Sequence, residues 1–241
     1  MMLQKKTIER IASDVKSILK NPLHNIYYKH DEENLLLGYG LIIGPTDTPY
    51  NYGYYLFQFE FPENYPFYPP KVTYLSNDGY TRYNPNFYIN GKVCLSILNT
   101  WNGDSWTSCQ TISSILLTLS TVLCEFPLTN EPGIDKSNNL KNVNNYNLII
   151  KYKNIEYIII EQINILLYKM NHINYKFLNK FREEIIENFL NNKEKIDEVI
   201  ENNFQNKFKK INETIFASNI KINKKMLLDN LNKIKLKLIK N

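Results

Sequence analysis

Tyr83-Asn84-Pro85-Asn86-Phe87-Tyr88-Ile89-Asn90-Gly91-Lys92-Val93-Cys94-Leu95-Ser96-Ile97-Leu98 carries little helical or strand periodicity. Its turn formers are dense, and its apolar residues flank a single cysteine. Asn90-Gly91 marks a tight turn, and Cys94 follows it by three residues. Asn86 lies eight positions before that sulfur, near enough for its side-chain amide to brace the loop or approach the thiol. Read as generic physics, Cys94 has two roles open to it. It is either a small buried apolar residue or a reactive thiol held in a fixed loop.

Outward from this stretch the pattern becomes regular. Upstream, residues 4–20 place Ile8, Ile11, Val15, Ile18 and Leu19 on one helical face, and Asn21-Pro22 ends the helix. Runs with strand character follow at His24–His30, Leu35–Ile43, Tyr54–Phe61 and Lys71–Leu75, separated by turn-forming pieces. Their short connections predict an antiparallel meander. Phe61 to Val72 reads FPENYPFYPPKV, whose four prolines exclude a helix and a central strand. Tyr65-Pro66 and Tyr68-Pro69 are candidates for a cis bond. Downstream, Ile112, Ile115, Leu116, Leu119, Val122, Leu123 and Phe126 predict a helix over 110–126, with Pro127 as its stop. Helix, four strands, a long structured loop and a second helix define an α+β domain.

Beyond Asp135 the composition shifts. Of 35 Asn residues, 24 follow Thr129, on a background rich in Lys, Ile and Tyr, and this bias reads as compositional. Helical apolar spacing over 143–170, 174–203 and 223–240, with no Pro after Pro132, predicts long helices. The expected division is a catalytic core at 1–170 and a helical, Asn/Lys-rich extension at 171–241.

The remaining composition excludes several classes. The net charge is +5, yet only Arg10, Arg82 and Arg182 among the 29 basic residues are arginine. Nucleic-acid readers favour the planar Arg fork, so no nucleic-acid partner is expected. The most apolar stretch, Tyr146–Met170, is broken by Lys151, Lys153, Glu156 and Glu161, which argues against a bilayer span. No apolar run opens the sequence, so no secretory signal is expected and the location predicted is cytoplasm or nucleus. Cys94, Cys109 and Cys124 are odd in number and lack a CxxC spacing. His24, His30 and His172 are scattered, so neither a disulfide framework nor a metal site is expected.

Several motifs in register resemble the ubiquitin-conjugating enzymes. They are Asn-Pro-Asn, an eight-residue step to Cys, and Asn-Gly-x-x-Cys-Leu-x-Ile-Leu. Tyr-Pro-Phe-x-Pro-Pro-Lys-Val lies upstream, with Trp106 and Asn130-Glu131-Pro132 downstream. The resemblance spans about residues 7–170. Within the family, four features are similar to the larger Z-type members: Asn84–Tyr88, the long Leu98-to-Trp106 segment, Gly44-Pro45-x-x-Thr48-Pro49-Tyr50, and the corner at Gly133.

The resemblance implies an N-terminal helix, a four-stranded antiparallel meander, a long active-site loop, a central helix and C-terminal helices. It also implies two acyl transfers. Cys94 receives ubiquitin or a ubiquitin-like protein from an activating enzyme as a thioester, then yields it to a substrate amine, usually lysine, with a ligase. ATP is spent upstream, so no cofactor is implied, and the chain is expected to act as a monomer. Asn86 would brace the loop or stabilise an oxyanion. Glu131 would orient the amine or cap its corner. Tyr83 would flank the site or fill the underside of the loop. Arg10, near Lys5 and Lys6, Phe67 of the proline-rich loop and Trp106 would meet partners, with Phe67 either outward or folded into the core.

Two departures stand out. Asn84 replaces the usual His, which implies altered loop hydrogen bonding. Trp106-Thr107-Ser108-Cys109 replaces Trp-Ser-Pro-Ala, which bears on ligase choice and leaves Cys109 a second candidate thiol, whereas Cys124 is expected to be inert. A catalytically inactive binding protein or scaffold is the alternative, opposed by the presence of Cys94. A cysteine hydrolase would need a His beside it, and no motif supplies one.

Overall fold

The computed structural model describes residues 5–205 and 209–239. The chain divides into two compact units. One takes in the residues through Ile43 together with Tyr55–Leu123; the other takes in Gly44–Tyr54 and the chain from Cys124 onward.

In the first unit, α1 spans Lys5–Lys20; the expected start at residue 4 lies outside the described residues. The buried line of α1 is Thr7, Ile11, Asp14 and Ile18, whereas Ile8 and Leu19 are exposed. The apolar face read from the sequence is therefore rotated, because two polar residues are buried with their hydrogen bonds satisfied. Thr7 donates to the carbonyls of Glu63 and Tyr65, and Asp14 accepts from the Tyr65 hydroxyl and from Arg10. Strands β1 (Ile26–His30), β2 (Leu37–Ile43), β3 (Tyr54–Glu60) and β4 (Lys71–Tyr74) form an antiparallel sheet in that order, as the turn spacing predicts. Ile26 pairs with Ile42 and His30 with Gly38 across β1 and β2, and Phe57 pairs with Tyr74 across β3 and β4. Tyr55, Phe57 and Phe59 are fully buried. The bond at Tyr65-Pro66 is cis, and among the described residues it alone is.

Helix α2 spans Ile112–Thr121 and opens with a capping box between Thr111 and Ser114. It stops well short of Pro127, unlike the helix expected over 110–126. Thr118 and Thr121 bond back to the carbonyls of Ser114 and Thr118, a local competition that weakens helix continuation. The Asn84 amide takes the Val122 carbonyl at 2.7 Å, which ends the helix from outside.

The second unit is built on one long helical rod. It comprises α3 (Leu140–Lys153), a π-helical segment (Asn154–Glu161) and α4 (Gln162–Tyr168). Asn154 is buried where the pitch widens, its amide donating to the Asn51 carbonyl at 2.8 Å. The expected 174–203 helix is split at Phe181 into α5 (Tyr175–Lys180) and α6 (Arg182–Asn203). A hairpin, β5 (Lys209–Asn212) with β6 (Asn219–Ile222), was not foreseen. It precedes α7 (Lys224–Ile239); residue 240 of the expected last helix lies outside the described residues. Ile158, Ile159 and Ile163 of the rod are buried, as are Ile185, Phe189 and Ile196 of α6 and Leu227, Leu231 and Ile234 of α7. The expected boundary at residue 170 thus falls inside this unit, where α6 and α7 need the rod to cover their apolar stripes. Among the described residues no helix is long and apolar enough to cross a membrane.

Candidate active site

The loop from Asp78 to Trp106 is held residue by residue. Asp78 closes its first turn, accepting from the amides of Tyr80 and Thr81 and from the Thr81 hydroxyl. Arg82 donates to the carbonyls of Asn84 and Pro85 and lies 3.4 Å from the Tyr88 ring centre. Phe87 anchors the middle, edge-on to Phe57 at 5.2 Å and stacked on Tyr74 at 5.1 Å. The Asn90-Gly91 turn is where the sequence places it. Gly91 has φ +87°, and a Cβ there would meet Thr73 and the Tyr74 carbonyl at 3.0 Å. Bridges from Phe87 to Val93 and from Thr73 to Lys92 then return the chain beside Asn86.

Asn86 grips Cys94 twice. Its carbonyl accepts from the Cys94 amide at 2.9 Å, and its side-chain amide donates to the Cys94 carbonyl at 2.8 Å. This geometry is that of a brace. An oxyanion contact would have to use the second N–H of the same amide, because the first is committed. The side-chain oxygen of Asn86 is buried without a hydrogen-bond partner among the described residues, so the residue carries a polar penalty to hold this position.

Asn84, fully buried, accepts from the Asn86 amide at 2.9 Å and donates to Val122. A carbonyl and an amide on one side chain let it join the loop to α2 without a titrating group. Tyr83 is also fully buried, edge-on to Tyr74, and therefore supports the loop from beneath.

Cys94 itself is 2% exposed. Cys109 is exposed, and Cys124 is half-buried with burial pushing its thiol pKa up. Cys124 also points at Asn130, 3.9 Å away. The three thiols are free, and no cluster of His, Cys, Asp or Glu among the described residues could hold a metal ion.

The expected partner contacts separate into two kinds. Phe67 is 62% exposed on the proline-rich loop, outward and not folded into the core. Arg10 and Trp106 instead use donors on neighbouring backbone carbonyls. Arg10 donates to the carbonyls of Ser108 and Gln110 while pairing with Asp14 at 2.9 Å. Trp106 is buried and donates from Nε1 to the Pro66 carbonyl at 2.7 Å. Arg10 thus ties α1 to the segment at Ser108 and Gln110, and Trp106 is tied to the proline-rich loop that carries Phe67. Glu131 belongs to the second unit, half-buried just after the short 3₁₀ turn Pro127–Asn130.

Two residues of the loop escaped the sequence reading. Arg82 is one of only three arginines, and that rarity was a usable signal. Thr100 sits in Asn99-Thr100-Trp101-Asn102-Gly103, a turn-forming cluster in which a hydroxyl can serve as a local hydrogen-bond hub.

The family model for ubiquitin-conjugating enzyme matches residues 10–152, more than half of the chain, and the chain belongs to that family. Within it the similarity runs to the Z type. The ubiquitin-conjugating enzyme E2 Z of Xenopus tropicalis is 40% identical over 155 residues, covering 64% of this chain and 50% of that protein. Its Homo sapiens counterpart is 42% identical over 147 residues, covering 61% and 42% respectively. The dual E2 ubiquitin-conjugating enzyme/E3 ubiquitin-protein ligase BIRC6 of Homo sapiens is 42% identical over 120 residues, 47% of this chain and 2% of that protein. This chain therefore spans about half the length, or less, of these relatives.

Proposed function

We propose that Cys94 accepts the C-terminus of ubiquitin or a ubiquitin-like protein and passes it to a substrate amine. In the first step the Cys94 thiolate attacks the thioester on an activating enzyme, and that enzyme's thiolate leaves. In the second an amine nitrogen, normally of lysine, attacks the Cys94 thioester. The Cys94 thiolate leaves, and the amine proton passes to a base, for which Glu131 is the candidate. The thioester is already activated, so positioning and electrostatics carry the rate.

The observation that carries this reading is the double grip of Asn86 on the Cys94 peptide, on a loop where the family motifs stand in register. Phe67 is the anchor for a ligase or activating enzyme, since such contacts centre on a few apolar side chains. Three free thiols suit the reducing cytoplasm or nucleus.

The test is a charging panel of ubiquitin and ubiquitin-like proteins with their activating enzymes and ATP. One modifier should form an adduct removed by reducing agent, and Asn86→Ala should slow discharge to lysine more than it slows charging. Failure of every modifier to charge would contradict the reading.

A further inference from the structure

Two peptide planes meet at Cys94, and each is held from both sides. In the Val93–Cys94 peptide, the amide of Cys94 donates to the Asn86 carbonyl, and the carbonyl of Val93 accepts from the Thr100 hydroxyl at 2.9 Å. In the Cys94–Leu95 peptide, the carbonyl of Cys94 accepts from the Asn86 side chain. The amide of Leu95 donates to the Thr100 hydroxyl at 2.9 Å. Thr100 thus repeats on one side of the cysteine what Asn86 does on the other.

The hydroxyl is placed for this by its own backbone. The Thr100 amide donates to the Leu95 carbonyl at 3.2 Å, closing a short loop over the 3₁₀ turn Ser96–Leu98. Asn99 takes a left-handed conformation at φ 55° and accepts the Trp106 amide on its side chain at 2.9 Å. A hydroxyl offers one hydrogen and two lone pairs. Here a lone pair receives the Leu95 amide, and the hydrogen is shared between the Val93 carbonyl at 2.9 Å and the Leu95 carbonyl at 3.1 Å, so the group is engaged as both donor and acceptor.

From this geometry we infer that Thr100 is a positioning residue for the Cys94 sulfur, acting through the two peptide planes that flank it. Fixing both planes fixes φ and ψ of Cys94 and therefore the direction of its Cα–Cβ bond. Only χ1 is left to aim the sulfur. Thr100 does not touch the reacting atoms; it limits where they can be. Angular errors of a few tens of degrees matter in a group transfer that depends on alignment. The inference rests on the thioester role of Cys94 proposed above.

Thr100→Val removes the hydroxyl and keeps the shape, whereas Thr100→Ser keeps the hydroxyl and loses a methyl. The valine variant should charge and discharge about fivefold more slowly, the scale of one net hydrogen bond. It should also react faster with iodoacetamide at Cys94, since a loosened sulfur is easier for a small reagent to reach. The Leu95 amide should exchange with solvent faster. The serine variant should stay within about twofold of the unaltered protein in all three measurements.

A valine variant that charges at the unaltered rate would overturn the inference, as would a serine variant as slow as the valine one. If the unaltered protein charges with no modifier, the activity reading falls by itself. The Leu95 exchange rate then still decides the clamp: faster in the valine variant alone upholds it, and unchanged in both overturns it.

Discussion

The loop from Asp78 to Trp106 and the helices α3, α4, α6 and α7 of the second unit are both rich in asparagine, and they depend on it to different degrees. In the loop, Asn84 and Asn86 are structural joints whose amides meet specific backbone groups. In the helical layer, order comes from periodic burial of Ile, Leu and Phe on the rod, α6 and α7, and of its described asparagines Asn154 alone is buried, joined to the Asn51 carbonyl. Irregular backbone has no ladder of its own and must find partners one by one. A helix satisfies its backbone internally and needs only an apolar stripe. The loop should therefore be sensitive to polar substitutions that the helical layer ignores.

The largest effect should come from the helical interior. Ile163→Ala, at a fully buried position of the rod, should lower stability by about 3 kcal/mol in urea unfolding, the usual loss for such truncations. Next, Asn84→Ala should remove about 2 kcal/mol, because two hydrogen bonds to backbone groups are lost inside the protein. Equality of Asn84→Ala with a surface asparagine variant would break the comparison. A smaller effect comes from the sheet of the first unit. His30 has its pKa lowered from 6.5, chiefly by burial, so the unfolded chain binds its proton more readily. The sign follows: stability is full above about pH 6.5 and declines as pH falls towards the lowered folded-state value. Unfolding midpoints at pH 7.5 and 5.5 should differ more in the unaltered protein than in His30→Gln. The smallest effect belongs to Asn202→Ala on the exposed face of α6, which should shift stability by less than about 0.5 kcal/mol.

These contrasts also explain what could be read from sequence. The sheet, the ends of the proline-rich loop and the Asn-Gly turn follow from alternation and turn chemistry at residues such as Tyr55, Phe57, Phe59 and Gly91. The loop that carries Cys94 was legible through its motif, and Asn86 through its spacing to Cys94. Thr100 was not, because its role depends on the chain folding back over Ser96–Leu98, which no periodicity marks. The face of α1 was misread for a related reason. Thr7 and Asp14 look like solvent positions until the Tyr65 loop supplies their partners. Arg10 and Trp106 pointed to partner contacts by family position, yet their hydrogen bonds turn inward. The hairpin at 209–222 was hidden by the compositional bias, since its Lys and Asn residues resemble the flanking helices.

In the proposed reaction Cys94, enclosed and clamped, carries the acyl group, and exposed Cys109 does not. Peptide mapping of the charged protein by mass spectrometry tests it most directly. With activating enzyme, ATP and the charging modifier, the adduct should map to Cys94, and Cys94→Ser should convert it to a reductant-resistant ester at the same position. An adduct that maps to Cys109, or that persists as a thioester in Cys94→Ala, would contradict the claim.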